Sequence, residues 1–119
     1  PPPPPPPPTA TSLHVGDLDG NGVRVSSKKW DARVTVRVHD DLEVAVAGVT
    51  VAVRYGTKGS VTCVTNDVGR CTTSKRYGNA KAQITVRVLG LTGALPYDAT
   101  ANHDPDADSN GTSIVVRRP

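Results

Sequence analysis

The sequence predicts an all-β chain: an immunoglobulin-like antiparallel β-sandwich of seven or eight strands, carried behind an N-terminal polyproline II segment. Three observations lead there. Valine and threonine are abundant while Phe and Met are absent and the aromatics number one Trp and three Tyr; branched side chains are stiff at χ1 and pack well on a pleated surface. Apolar and polar residues alternate with period two, most strictly where Trp30, Ala32, Val34, Val36 and Val38 interleave with Asp31, Arg33, Thr35, Arg37 and His39. Turn residues recur about every 8–12 positions, and the chain beyond its proline run is about 110 residues, the size of one immunoglobulin-like sandwich.

Residues 1–8 are an unbroken proline run. Proline fixes φ and lacks an N–H, so the run cannot join a sheet and should form a rod about 25 Å long. Residues 1–11 therefore read as a linker or docking segment and residues 12–119 as the domain. The first strand is expected over 12–15, ending in an acidic, glycine-rich turn over 17–22. The Trp30 strand covers 30–39 and turns at Asp40 and Asp41. Further strands are expected over 44–46, 49–55, 61–64, 71–74, 81–89 and 112–117, with a short one over 95–98. A polar loop fills 100–111. No stretch of useful length has the 3.6-residue period of a helix.

Cys63 and Cys71 flank Val-Thr-Asn-Asp-Val-Gly-Arg. Asn66, Asp67 and Gly69 between two Thr-rich runs suggest a hairpin whose partners approach within disulfide distance. A pair of reduced thiols is the alternative. If the bond forms, its connectivity is unambiguous, and it implies an oxidising, extracytoplasmic compartment.

The formal net charge is +3, yet the basic residues (Arg33, Arg37, Arg54, Arg87, Arg117) are dispersed along alternating strands, as on the solvated face of a sheet. With four aromatics and no stacking platform among them, no nucleic-acid partner is expected. No apolar run is long enough to span a membrane. No enzyme is expected either: there is no Gly-x-Ser-x-Gly elbow, and a glycosidase-like pair of carboxylates would need a ring-lined cleft.

Two segments are dense in hard oxygen donors: Asp17, Asp19 and Asn21 in the first, Asp104, Asp106, Asp108 and Asn110 in the second. Alternate spacing gathers several oxygens on one side of a tight backbone, which suits Ca²⁺ and its six to eight oxygen ligands, by about that count. The EF-hand pattern fails in both, because position twelve of a loop beginning at Asp17 is Lys28 and of one beginning at Asp104 is Val115. Asp, Asn and Gly are also ordinary turn residues, the competing explanation. Zn²⁺ through His14 or His103 is not expected, since no thiolate or second-histidine spacing supports it. Asn110-Gly111-Thr112 is an N-glycosylation sequon, and Thr9, Thr11 and Ser12 are candidate sites for O-linked glycans.

His14-Val15-Gly16-Asp17-Leu18-Asp19, the Trp30 strand ending His39-Asp40, the Cys63–Cys71 segment, and Asn102-His103-Asp104-Pro105-Asp106 with Asp108-Ser109-Asn110-Gly111-Thr112 resemble bacterial immunoglobulin-like modules. These are similar to carboxypeptidase-regulatory or invasin-like sandwiches and follow Pro/Thr-rich linkers in large exported proteins, including subtilisin-like proteases. The resemblance covers nearly all of residues 12–116, the acidic motifs being its most specific part, and implies fold and export. Three functions are then in view. The first is a structural building block of an extracellular fibre or multidomain surface protein, meeting copies of itself or neighbouring domains through the proline-rich end. The second is an accessory C-terminal domain of a secreted hydrolase. The third is a carbohydrate or surface adhesin.

Overall fold

A computed structural model describes residues 2–119; Pro1 of the expected rod lies outside them. Among the described residues there are seven strands: β1 (Leu13–Arg24), β2 (Lys29–Asp40), β3 (Thr50–Tyr55), β4 (Val61–Val64), β5 (Arg70–Gly78), β6 (Gln83–Thr92) and β7 (Ser113–Arg117), with one 3₁₀ turn at Ala99–Ala101. They form two antiparallel sheets, one ordered β1-β2-β5 and the other β4-β3-β6-β7. This is the expected all-β, immunoglobulin-like sandwich.

Period two explains the core. Trp30, Ala32, Val34, Val36 and Val38 of β2 are all fully buried and meet Val51, Val53, Tyr55, Ile84, Val86, Val88, Ile114 and Val116 of the facing sheet. Trp30 is thus a core residue, its Nε1–H donating to the Lys81 carbonyl at 3.0 Å. The Tyr55 hydroxyl shares a buried hydrogen bond of 2.8 Å with Thr73, tying β3 of one sheet to β5 of the other and leaving neither polar tip unpaired.

Four expected elements need correction. The acidic segment 17–22 is not a turn after a short strand but the continuation of β1, paired with β2 from Leu13↔Asp40 to Arg24↔Trp30. Its glycines serve packing: a Cβ on Gly22 would lie 2.2 Å from the Arg117 carbonyl oxygen, and one on Gly20 2.9 Å from the Val116 side chain. They let β1 lie close to β7, where the two sheets meet along one side. The cysteine segment is not a paired hairpin either. β4 and β5 belong to different sheets, and the Asn66–Arg70 turn, held by Asn66 Oδ1 accepting from the Val68 and Arg70 N–H groups, carries the chain across the sandwich. The Cys63–Cys71 disulfide therefore joins the two sheets on the side opposite β1 and β7. Residues 44–46 and 95–98 form only isolated bridges, His39↔Ala45 and Leu13↔Tyr97.

Pro2 to Pro8 are exposed and belong to no strand. The arm is fixed where it meets the domain: Thr11 donates its N–H and its hydroxyl to the Asp41 carboxylate at 2.8 Å each, and these bonds hold the Asp41 carboxyl below its usual range.

Two outcomes check this description. Gly22→Ala should destabilise by about 1–3 kcal/mol, the cost of overpacking against backbone, whereas a glycine in an open turn would accept alanine; urea unfolding measures the difference. Replacing Cys63 and Cys71 together by Ser should cost about 2–3 kcal/mol in the chain-entropy account of a short loop, and the untreated protein should not react with iodoacetamide.

Candidate metal centre

A bulge in β1 sets the site. The β1–β2 register slips between Val15 and Asp17, with Gly16 as the extra residue. Before the slip Leu13 and Val15 point into the core; after it Leu18 does. The side chains of His14, Asp17, Asp19 and Asn21 consequently share the outer face of one strand. β1 is an edge strand, and its free edge is covered by residues 96–103: Leu13 N–H donates to the Pro96 carbonyl, Asp98 N–H to the Leu13 carbonyl, His103 N–H to the Val15 carbonyl, and Val15 N–H to Asn102 Oδ1 at 2.8 Å. Asn102 also donates through Nδ2 to the Tyr97 hydroxyl and Thr112 Oγ1. The loop that follows therefore folds across the outer face of β1.

The acidic segments meet there. Asp17, Asp104 and Asp106 bring carboxylate oxygens within 4.8 Å of one another, and so do Asp19, Asp106 and Asp108. Asp106 belongs to both groups, so five carboxylates form one continuous patch. The expected route to this meeting, a strand over 95–98 placing two loops at one end, is not the one taken; a strand and a loop meet instead. The loop is shaped by its own side chains. Asp104 accepts from the Ser109 hydroxyl and from the Asp106 N–H at 3.2 Å, while Ala107 and Gly111 adopt left-handed φ of 60° and 83°.

Crowding is written into the ionisation. Burial, then contact with Asp104 and the charges of Asp19 and Asp106, pushes Asp17 up to about 6. Burial and the proximity of Asp104 and Asp106 push Asp108 up to about 8, and Asp106 is also raised, first by Asp104. Asp104 moves the other way: burial would raise it, but hydrogen bonds from Asp106, Ser109 and Asp108 outweigh that. Hard oxygens so arranged either share protons or share a cation.

The two amides stand differently. Asn110 Oδ1 is occupied, accepting from the Thr112 and Ser113 N–H groups at 2.9 and 2.7 Å, so this side chain shapes the start of β7. Asn21 sits two residues beyond Asp19, opposite Arg33. Of the glycan candidates, Thr9 and Asn110 are exposed and Thr11 is engaged with Asp41.

Beside the carboxylates lies a group that the sequence did not reveal. His14 and His39 face each other across the β1–β2 ladder, and His103 and Glu43 close over them, all four within 4.8 Å by their donor atoms. Glu43 Oε1 is 2.8 Å from His14 Nε2, and its Oε2 is 3.2 Å from His39 Nδ1 and 3.4 Å from His103 Nε2. These residues come from β1, β2, the β2–β3 loop and the β6–β7 loop, so no local spacing announces them. Only the β1–β2 register, read through the Gly16 bulge, would have paired His14 with His39.

At the other end of β2 a concavity of about 270 Å³ is lined by Tyr55, Tyr77, Lys58, Lys75 and Lys81. No family model, curated protein or solved structure matches the chain. Among the described residues no helix is long and apolar enough to cross a membrane.

Proposed function

We propose that the chain is a non-catalytic extracellular structural module, a disulfide-bonded and calcium-stabilised building block of a fibre or multidomain surface protein. The observation that carries the reading is the Cys63–Cys71 bond between the two sheets, a bond that persists in oxidising compartments. The anchoring of Thr11 and Ser12 on Asp41 supports a structural role, because it fixes the point at which the proline-rich arm leaves the domain. A stiff arm on a fixed root suits end-to-end joining of copies or neighbouring domains.

Calcium is the part of the proposal assigned to the carboxylate patch. Asp17 and Asp19 of β1, with Asp104, Asp106 and Asp108 of the loop, would supply hard oxygens of the kind Ca²⁺ takes. Bound there, the ion would offset the burial and the neighbouring carboxylates that together raise Asp17 and Asp108 and would tie the β6–β7 loop to the edge strand. Membership of a secreted hydrolase is the second reading; it draws on the resemblance to modules that follow Pro/Thr-rich linkers.

Metal-stripped protein should melt several degrees lower than protein in millimolar Ca²⁺, because a ligand at about 100 times its Kd adds about 2.7 kcal/mol to the native state. The shift should vanish in an Asp19→Asn, Asp108→Asn double variant; a Ca²⁺-independent melt would leave turn formation as the role of these residues. Negative-stain micrographs of native material should show fibres, whereas isolated particles and an upstream protease domain in the encoding gene would favour the hydrolase.

A further inference from the structure

We propose that His14, His39, His103 and Glu43 form a binding site for one divalent transition-metal ion of the imidazole-preferring class, represented by Zn²⁺, separate from the calcium patch. The donor set is three ring nitrogens and one carboxylate oxygen, all within 4.8 Å of one another. Such a set suits Zn²⁺ and its neighbours in the first row, and four protein donors make a closed, structural type of site.

The decisive residue is His14. Its side chain is 2% exposed, and among the described residues neither Nδ1 nor Nε2 has a hydrogen-bond partner. Buried polar atoms are almost always partnered. His14 Nε2 does lie 2.8 Å from Glu43 Oε1, but without the alignment of a hydrogen bond. An ion placed between the two would satisfy both atoms. A buried imidazole nitrogen that faces a carboxylate oxygen without hydrogen-bond alignment is placed as two ligands of one ion are placed.

The surrounding backbone is specialised to hold the other three donors. Glu43 adopts φ of 61°, a left-handed conformation uncommon outside glycine and found where the surroundings enforce it. Asp40 enforces it here: its carbonyl accepts the Glu43 N–H, and its Oδ1 accepts the Leu42 and Val44 N–H groups at 2.9 and 3.0 Å. Gly16 makes room for the second histidine, since a Cβ there would fall 2.2 Å from His39 Nδ1. Gly111, at φ of 83°, lies so close to the His103 backbone that a Cβ would fall 2.7 Å from its nitrogen. His103 Nδ1 is 3.3 Å from the Ala101 carbonyl oxygen, which can only accept. That contact places the ring proton on Nδ1 and leaves the Nε2 lone pair for the ion, the usual outer-shell arrangement of a metal-bound histidine.

The site would cross-link the start of β1, the end of β2 and both loops beside Asp41, where the arm is rooted. It rests on nitrogen donors that Ca²⁺ does not favour, so it stands or falls apart from the calcium reading.

The test is titration of the metal-stripped full chain with Zn²⁺ in millimolar Ca²⁺, followed by calorimetry and native mass spectrometry. One Zn²⁺ per chain is expected, retained in the Asp19→Asn, Asp108→Asn variant. His39→Ala and His103→Ala, at the more exposed positions, should each weaken Zn²⁺ by at least about tenfold while circular dichroism shows the sheet intact. Co²⁺ bound to the unaltered chain should give the intense visible absorption of tetrahedral coordination, a readout that needs no substitution. Absence of Zn²⁺ binding, binding undiminished in both histidine variants, loss of Zn²⁺ in the aspartate variant alone, or the weak spectrum of octahedral Co²⁺ would each overturn the proposal.

Discussion

The single residue inserted into β1 at Gly16 is the constraint on which the rest depends. A strand has period two, so one extra residue reverses which side chains face the core. Without it, the alternation begun by Leu13 and Val15 would carry Asp17 and Asp19 inward and Leu18 outward. With it, Leu18 is buried and the carboxylates stand on the outer face beside His14. The inserted residue is glycine because the His39 ring occupies the space a Cβ would need. One backbone irregularity thus places the polar donors and makes room for them.

An edge strand brings a second obligation. The unpaired N–H and C=O groups along β1 would template association with another chain if left bare. Segment 96–103 covers them by main-chain and Asn102 contacts, and this cover delivers His103 and Asp104 to the outer face. Protection of the edge and assembly of the donor groups are therefore one structural event. His103 and Asp104 are adjacent in sequence yet serve different neighbours, the first beside His14 and Glu43, the second beside Asp17.

Much of the fold is legible in the sequence because it rests on alternation, and alternation is local. The Trp30 strand reads directly, as do β3 and most of β6, since each buries every second residue. The errors arise where glycine and asparagine have two physical uses. Gly20 and Gly22 look like turn residues but are small because β7 passes close by, a fact of tertiary packing that no window of β1 contains. Asn66 and Gly69 do form a tight turn, but nothing local says that the strands on either side join different sheets. The acidic residues were identifiable by chemistry, and their meeting was not, because it depends on how the loop crosses β1. The histidine group is harder still: its four members lie on four segments, and Glu43 is unremarkable until its left-handed backbone is seen.

The distribution of apolar side chains explains why polar donors carry such weight here. The core is built mainly of valines, with Leu and Ile, one Trp and one Tyr, and a chain of this size buries only part of the surface its unfolded form exposes. The disulfide closes the side where β4 and β5 approach, and close glycine packing closes the side where β1 meets β7. Neither reaches the β6–β7 loop, whose residues 102–111 contain no large apolar side chain and are held by hydrogen bonds that the Asp104, Ser109 and Asn110 side-chain oxygens accept. Ordering such a loop costs conformational entropy that hydrophobic burial does not offset. Its carboxylates moreover repel those of β1. A cation that binds the folded arrangement alone would reverse that repulsion into attraction, and the loop would then be ordered by the charges that otherwise oppose its docking.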